Sequence, residues 1–346
     1  MTSRRCIPLP RAVLPIAATA AVLTLAVIAP APAPAAAEPD LGTPEGLLRW
    51  IDRHPQHAGL AVLPDDGRAP IAYGATRRYP LASTRKVLVA GALTSSGIDL
   101  SRRVARADVE RFYVPGTDGG AHARAELDPV RPTLRQLLRA TLEVSDNASA
   151  DALLAYVGAH RVDAWSRRRG LTRQDPIYPL LGEFAAWTRD PRWTQRTPRG
   201  RAHVARALGR VVPAADVTLP GIEAQQRLAA ASVAGAPAQW ARLMRDIGHG
   251  GDPDLVAELD WPRRSSASLA QRFDRYLTKG GTLVGVVTET SYIRPAGRPG
   301  VAVALFLRDL PLELQASLAQ TFVQQDLIAR LAEDPAFREH ARRVLR

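Results

Sequence analysis

Cysteine is all but missing from this sequence. The only one, Cys6, stands ahead of an apolar segment rather than after it, so it is no lipid-anchor cysteine, and the chain beyond it has none. That excludes a disulfide framework, a thiol nucleophile and a cysteine-ligated metal. Past the N-terminal segment no stretch is apolar enough to span a bilayer. Gly-x-Ser-x-Gly and His-Glu-x-x-His are both absent, and His54 and His57 lack further ligands at metal spacing. No basic run is interleaved with aromatics, so the formal net charge of +12 reads as arginine used for solubility rather than as a nucleic-acid groove.

Acids are absent from the first 37 residues, which carry Arg4, Arg5 and Arg11 ahead of an apolar stretch from Ala12 to Ala29. Ala35-Ala36-Ala37 then offers a small-residue cleavage site before Glu38. Residues 1–37 are expected to be a signal peptide, leaving an exported domain of residues 38–346 with a net charge of +9. Ser3-Arg4-Arg5 resembles the start of a twin-arginine signal.

Along the mature chain, Thr43-Pro44-Glu45 starts a helix running to about His54. Strands follow at Gly59–Leu63 and Ala69–Tyr73, joined by the turn signal Asp65-Asp66-Gly67. Residues 84–95 form a helix apolar around most of its circumference, hence buried. Leu134, Leu137, Leu138 and Leu142 begin a run of helical periods reaching to about 264. Strand signals return at Leu283–Thr290 and Val301–Leu307, and one long helix closes the chain from about Pro311 to Ala332. The expected fold is α/β in the α+β sense. An antiparallel sheet is flanked by the N- and C-terminal helices (about 38–108 and 265–346), beside an all-helical lobe (about 109–264).

What the sequence does have is arginine: of 46 Lys plus Arg, only Lys86 and Lys279 are lysine. Arginine cannot be deprotonated in a protein, whereas a desolvated lysine can. The two lysines therefore mark positions where a point charge or a removable proton is wanted. Lys86 ends Ser83-Thr84-Arg85-Lys86 at a helix start, where side chains three residues apart share a face. With Val87, Leu88 and Val89 around it, Lys86 is a candidate base for the Ser83 hydroxyl. Ser145-Asp146-Asn147 lies at a break between helices, with Asn147 expected as the cap of the second. Lys279-Gly280-Gly281-Thr282 enters a strand.

In this order, Ser-x-x-Lys, Ser-Asp-Asn and a Lys-x-Gly triplet resemble the signature of class A β-lactamases and penicillin-binding proteins. The 62 residues from Ser83 to Ser145 and the segment Glu143–Leu154 resemble the same superfamily. The resemblance implies Ser83 as nucleophile, Lys86 as its base and Ser145 as the relay to the leaving nitrogen. It implies Asn147 as a substrate-amide partner, Lys279 as the carboxylate anchor, and Gly281 and Thr282 in the substrate-binding strand. The backbone N–H groups of Ser83 and Thr282 would form the oxyanion hole. Gly280 departs from the family's Thr or Ser, and no Glu-x-x-Leu-Asn segment is visible, Glu183 being the nearest acid. Pro115–His122, with three glycines, stands where relatives place a site rim.

The expectation is a secreted serine hydrolase. It would form a Ser83 acyl-enzyme with a small amide or ester, either a β-lactam or a peptidoglycan-type peptide. It would need no cofactor or metal, bind no nucleic acid, keep no stable membrane span once the signal is cut, and act as a monomer. The alternative is a binding protein for β-lactams or muropeptides with little or no turnover.

Overall fold

A computed structural model describes residues 41–117 and 127–346. The expected leader and part of the Pro115–His122 loop lie outside the described residues. The helix Pro44–Arg53 opens the fold, its Thr43 hydroxyl accepting from the Gly46 N–H. Seven strands follow in chain order: β1 Ala58–Pro64, β2 Ile71–Tyr73, β3 Tyr79–Pro80, β4 Ala234–Gly235, β5 Phe273–Leu283, β6 Val286–Pro295 and β7 Val301–Leu307. Five form one antiparallel sheet in the order β2-β1-β7-β6-β5, and β3 pairs with β4 alone.

The alternation of side chains divides the core. Val301, Val303, Leu305 and Leu307 of β7 join one apolar cluster with Leu47 and Ile51 of the first helix and Leu327 and Leu331 near the C-terminus. Ala302, Ala304 and Phe306 face the other cluster, which runs through the central helices. β7 is buried on both faces because helices cover both, and its unbroken apolar sequence suits that. The helix Pro237–Gly250 falls inside the stretch expected as the helical lobe, yet it lies against the sheet. Its Trp240 ring meets Phe306 edge-on at 6.2 Å, and His249 and Tyr292 share Asp65 at 2.7 and 2.9 Å.

Three local expectations change. The helix expected from residue 84 is Lys86–Thr94, entered through the 3-10 turn Ala82–Arg85. The Lys279 segment does not lead into a strand at 283; it lies within β5, which turns back at Gly285 (φ 74°) into β6. The single C-terminal helix is three: Leu312–Thr321, Val323–Glu333 and Pro335–Val344. Phe322 breaks the first from the second by adopting φ 54°, and Asp334 breaks and caps the third.

Candidate active site

Ser83 is half-buried on its 3-10 turn, and the turn is fixed from two sides. The Thr84 hydroxyl meets the Thr288 hydroxyl of β6 at 2.6 Å, which donates onward to the Leu81 carbonyl at 2.9 Å. On the other side, a Cβ at Gly281 would stand 2.6 Å from the Ser83 nitrogen and 2.7 Å from that of Thr84. Only glycine lets β5 approach the turn so closely. Ala82, just before the nucleophile candidate, holds φ 47°, and Ser145 holds φ 61°. Left-handed backbone at two non-glycine residues costs on the order of 1–3 kcal/mol each, and such strain gathers where geometry is functional.

Lys86 is 1% exposed at the start of the buried helix Lys86–Thr94. Its Nζ donates to the Ser145 Oγ at 3.1 Å, to the Asn147 Oδ1 at 2.6 Å and to the Ser145 carbonyl. Lys279, 4% exposed on edge strand β5, donates to the same Ser145 Oγ at 3.0 Å and to the Gly280 carbonyl at 2.6 Å. One hydroxyl thus joins the chain's two lysines. Burial first, and then the Lys86 charge, hold the Lys279 ammonium well below its ordinary pKa.

The helix Asn147–Val157 is capped by Asp146, whose carboxylate accepts from the Ser149 N–H at 2.7 Å, and not by Asn147 as expected. Asn147 is thereby the first helical residue. Its side chain meets Lys86, and its Nδ2 donates to the Thr117 carbonyl at 3.1 Å. Thr117 is the described end of the expected rim loop. The structure therefore gathers Ser83, Lys86, Ser145, Asn147, Lys279 and Gly281, while Thr282 is exposed further along β5.

Behind the motif residues lie further buried charges. Glu183 is fully buried and ion-paired with Arg85, the third residue of the Ser-x-x-Lys motif. Asp151 accepts the N–H groups of Leu180 and Leu181 at 2.8 and 2.7 Å. Burial pushes the Asp151 carboxyl up to about 6 despite those bonds. A buried acid in the Ala- and Leu-rich helix 147–157 is the one cue that could have drawn attention to it. On the opposite face of β5 lies Glu289, 4% exposed on β6, directly across from Gly280.

The sequence profile of the Beta-lactamase enzyme family matches residues 45–216, and no curated protein sequence matches. Among solved structures, a double mutant of the class A β-lactamase of the last common ancestor of Gram-negative bacteria is 20% identical. It covers 83% of this chain and 98% of its own, with a TM-score of 0.52. L2 complexed with relebactam is 19% identical, covering 86% and 96%, with a TM-score of 0.53. The β-lactamase from Sphaerobacter thermophilus is 18% identical, covering 81% and 95%, with a TM-score of 0.53. These structures share the fold, and residues 45–216, the segment holding Ser83, Lys86 and Ser145, match the Beta-lactamase enzyme family.

Proposed function

We propose that this protein is an exported acyl-transfer enzyme in which Ser83 is acylated by a small amide or ester of the β-lactam or peptidoglycan-peptide kind. The reading rests above all on the Ser145 hydroxyl shared between Lys86 and Lys279 at 3.1 and 3.0 Å. That arrangement is a proton path. Lys86 takes the Ser83 proton as its oxygen bonds to the substrate carbonyl carbon. Ser145 delivers a proton to the departing nitrogen or oxygen and is resupplied by the lysines. The Ser83 N–H, held against Gly281, supplies one arm of the oxyanion hole and Thr282 the other. Asn147 orients Lys86 and presents its amide toward the substrate.

Lys279 gives two of its three donors to Ser145 and Gly280, so it acts in the relay as well as in attracting a carboxylate. Mass spectrometry after exposure to benzylpenicillin tests the reading. One adduct of the penicillin mass on the wild type and none on Ser83→Ala is the expected result; labelling that survives in Ser83→Ala would defeat it.

The second reading, a sensor with little turnover, is favoured by one observation. The acid nearest in sequence to the deacylating position, Glu183, is committed to Arg85. Both readings put the protein outside the cytoplasm. N-terminal sequencing should find a start near Glu38, and an intact Met1 on cytosolic protein would contradict export.

A further inference from the structure

A cleft of about 510 Å³ opens at the sheet edge away from the nucleophile turn, and a volume of that order suits a small ligand. β2 is the outer strand there, separated from β5 by the width of the sheet. The cleft lies between β2 and the end of the helix Pro335–Val344, with Pro55, Tyr73 and Leu345 as apolar walls. The side chains of Arg77, Arg342 and Arg346 line it too, and no acidic residue does. A basic residue in the last turn of a helix complements the helix dipole, which accounts for Arg342. Arg77 reaches the cleft from the chain after β2, and that dipole does not explain it. Its Nη1 donates to the Pro55 carbonyl at 2.9 Å, which fixes the guanidinium in place. Arg342 gives Nε and Nη2 to Glu339 at 2.8 and 2.7 Å and keeps Nη1. Arg346 forms no ion pair with a side chain among the described residues. The Arg342 hydrogen bond, with the charges of Arg342, Arg343 and Arg346, holds the Glu339 carboxyl below its ordinary pKa, so positive charge prevails at this end of the helix.

We propose that this cleft is a second binding site and that it takes a phosphate group, whether carried by a soluble glycerol or sugar phosphate or by a lipid headgroup. Three guanidinium groups with donors to spare suit the three acceptor oxygens of a phosphate better than the two of a carboxylate. A cation would meet three like charges. A neutral ligand would take water from the guanidinium groups and return no acceptor of comparable strength. The carbon part of a phosphate ester rests against Pro55, Tyr73 and Leu345. No step of Ser83 acylation involves the cleft, so the inference stands apart from the acyl-enzyme reading.

Equilibrium dialysis against glycerol 3-phosphate in low-salt buffer tests it, at about pH 8 where the phosphate is a dianion. The wild-type protein should bind one equivalent saturably and at least about tenfold more tightly than it binds acetate, since a hydrogen bond between charged groups is worth about that factor. The double variant Arg77→Gln/Arg342→Gln should lose at least about tenfold in affinity. A charge-matched control, Arg167→Gln/Arg168→Gln on the exposed end of the helix Ala159–Arg168, should lose less than about twofold, because exposed charges outside the cleft are screened. Arg346→Gln changes one exposed side chain and should lose about threefold, so a folding defect in the double variant leaves a test standing. Sedimentation with vesicles of phosphatidylglycerol in phosphatidylcholine separates the sources. Binding that needs Arg77 and Arg342 assigns the lipid headgroup, and its absence assigns a phosphate taken from solution. Unsaturable binding, acetate held as tightly as glycerol 3-phosphate, or equal losses in the two double variants would overturn the site.

Discussion

At the scale of single residues, the site divides lysine from arginine sharply. Lys86 and Arg85 are neighbours, both buried, with opposite duties. Arg85 is a fixed charge against Glu183, whereas Lys86 faces hydroxyls and an amide and must exchange a proton. Lys86→Arg should therefore cut the rate of Ser83 labelling by about a hundredfold or more, on the order expected for losing a general base. Full labelling in that variant would remove Lys86 from the base role. Glu183 gives the complementary case. Glu183→Gln leaves a buried guanidinium without its counter-charge, so stability should drop by about 3–5 kcal/mol. The lifetime of any acyl-enzyme should stay as it was. Denaturant unfolding and the decay of the penicillin adduct separate the two; a shortened or lengthened adduct lifetime with unchanged stability would reinstate Glu183 in deacylation. The motif residues were legible because their spacing is local. Arg85 with Glu183, Asp151 with the Leu180 backbone, and Gly280 opposite Glu289 were not, since each pair is joined only by the fold.

At the scale of elements, the turn carrying Ser83 and the edge strand β5 behave as one part. Gly281 lies so close to the Ser83 and Thr84 nitrogens that backbone, not a yielding side chain, occupies the place of a Cβ. Gly281→Ala should push β5 from the turn. A displacement of about 1 Å at such a site costs on the order of a hundredfold in rate, so labelling should fall by about that factor while far-ultraviolet circular dichroism barely changes. Normal labelling in Gly281→Ala would show that the contact is dispensable. The β1–β2 hairpin was readable from Asp65-Asp66-Gly67, and β7 from its apolar run. β5 was hidden because Lys279-Gly280-Gly281 has little strand propensity and owes its conformation to pairing with β6. The break at Phe322 was hidden for a related reason. A bulky residue at positive φ has no local signature, and the packing of the two flanking helices on the sheet imposes it.

At the scale of the whole molecule, the buried acids set how stability varies with pH. Burial raises the Glu289 carboxyl to about 7, with the Thr278 hydroxyl and then Lys279 acting against the shift. Between its unfolded pKa of about 4.5 and 7, the folded protein binds more protons at this residue than the unfolded chain does. Stability therefore falls as pH rises through that window, and the penalty is complete above it. Asp151, raised to about 6, adds a contribution of the same sign. Glu289→Gln has no such proton to lose. Relative to the wild type it should gain on the order of 3 kcal/mol between pH 5 and pH 8, read by denaturant unfolding at the two values. Parallel curves for the two proteins would place Glu289 in a better-solvated setting than its burial indicates.

The meeting of both lysines at one serine hydroxyl has a spectroscopic consequence. Growth on lysine carrying 15N at the side-chain nitrogen would label the whole chain at two atoms, and both belong to the candidate active site. The nitrogen spectrum of such a sample would contain a pair of side-chain resonances against an empty background. One of them should change shift at a pH well below that of free lysine. Each would serve as an isotopic reporter of protonation before and after an acyl group arrives on Ser83.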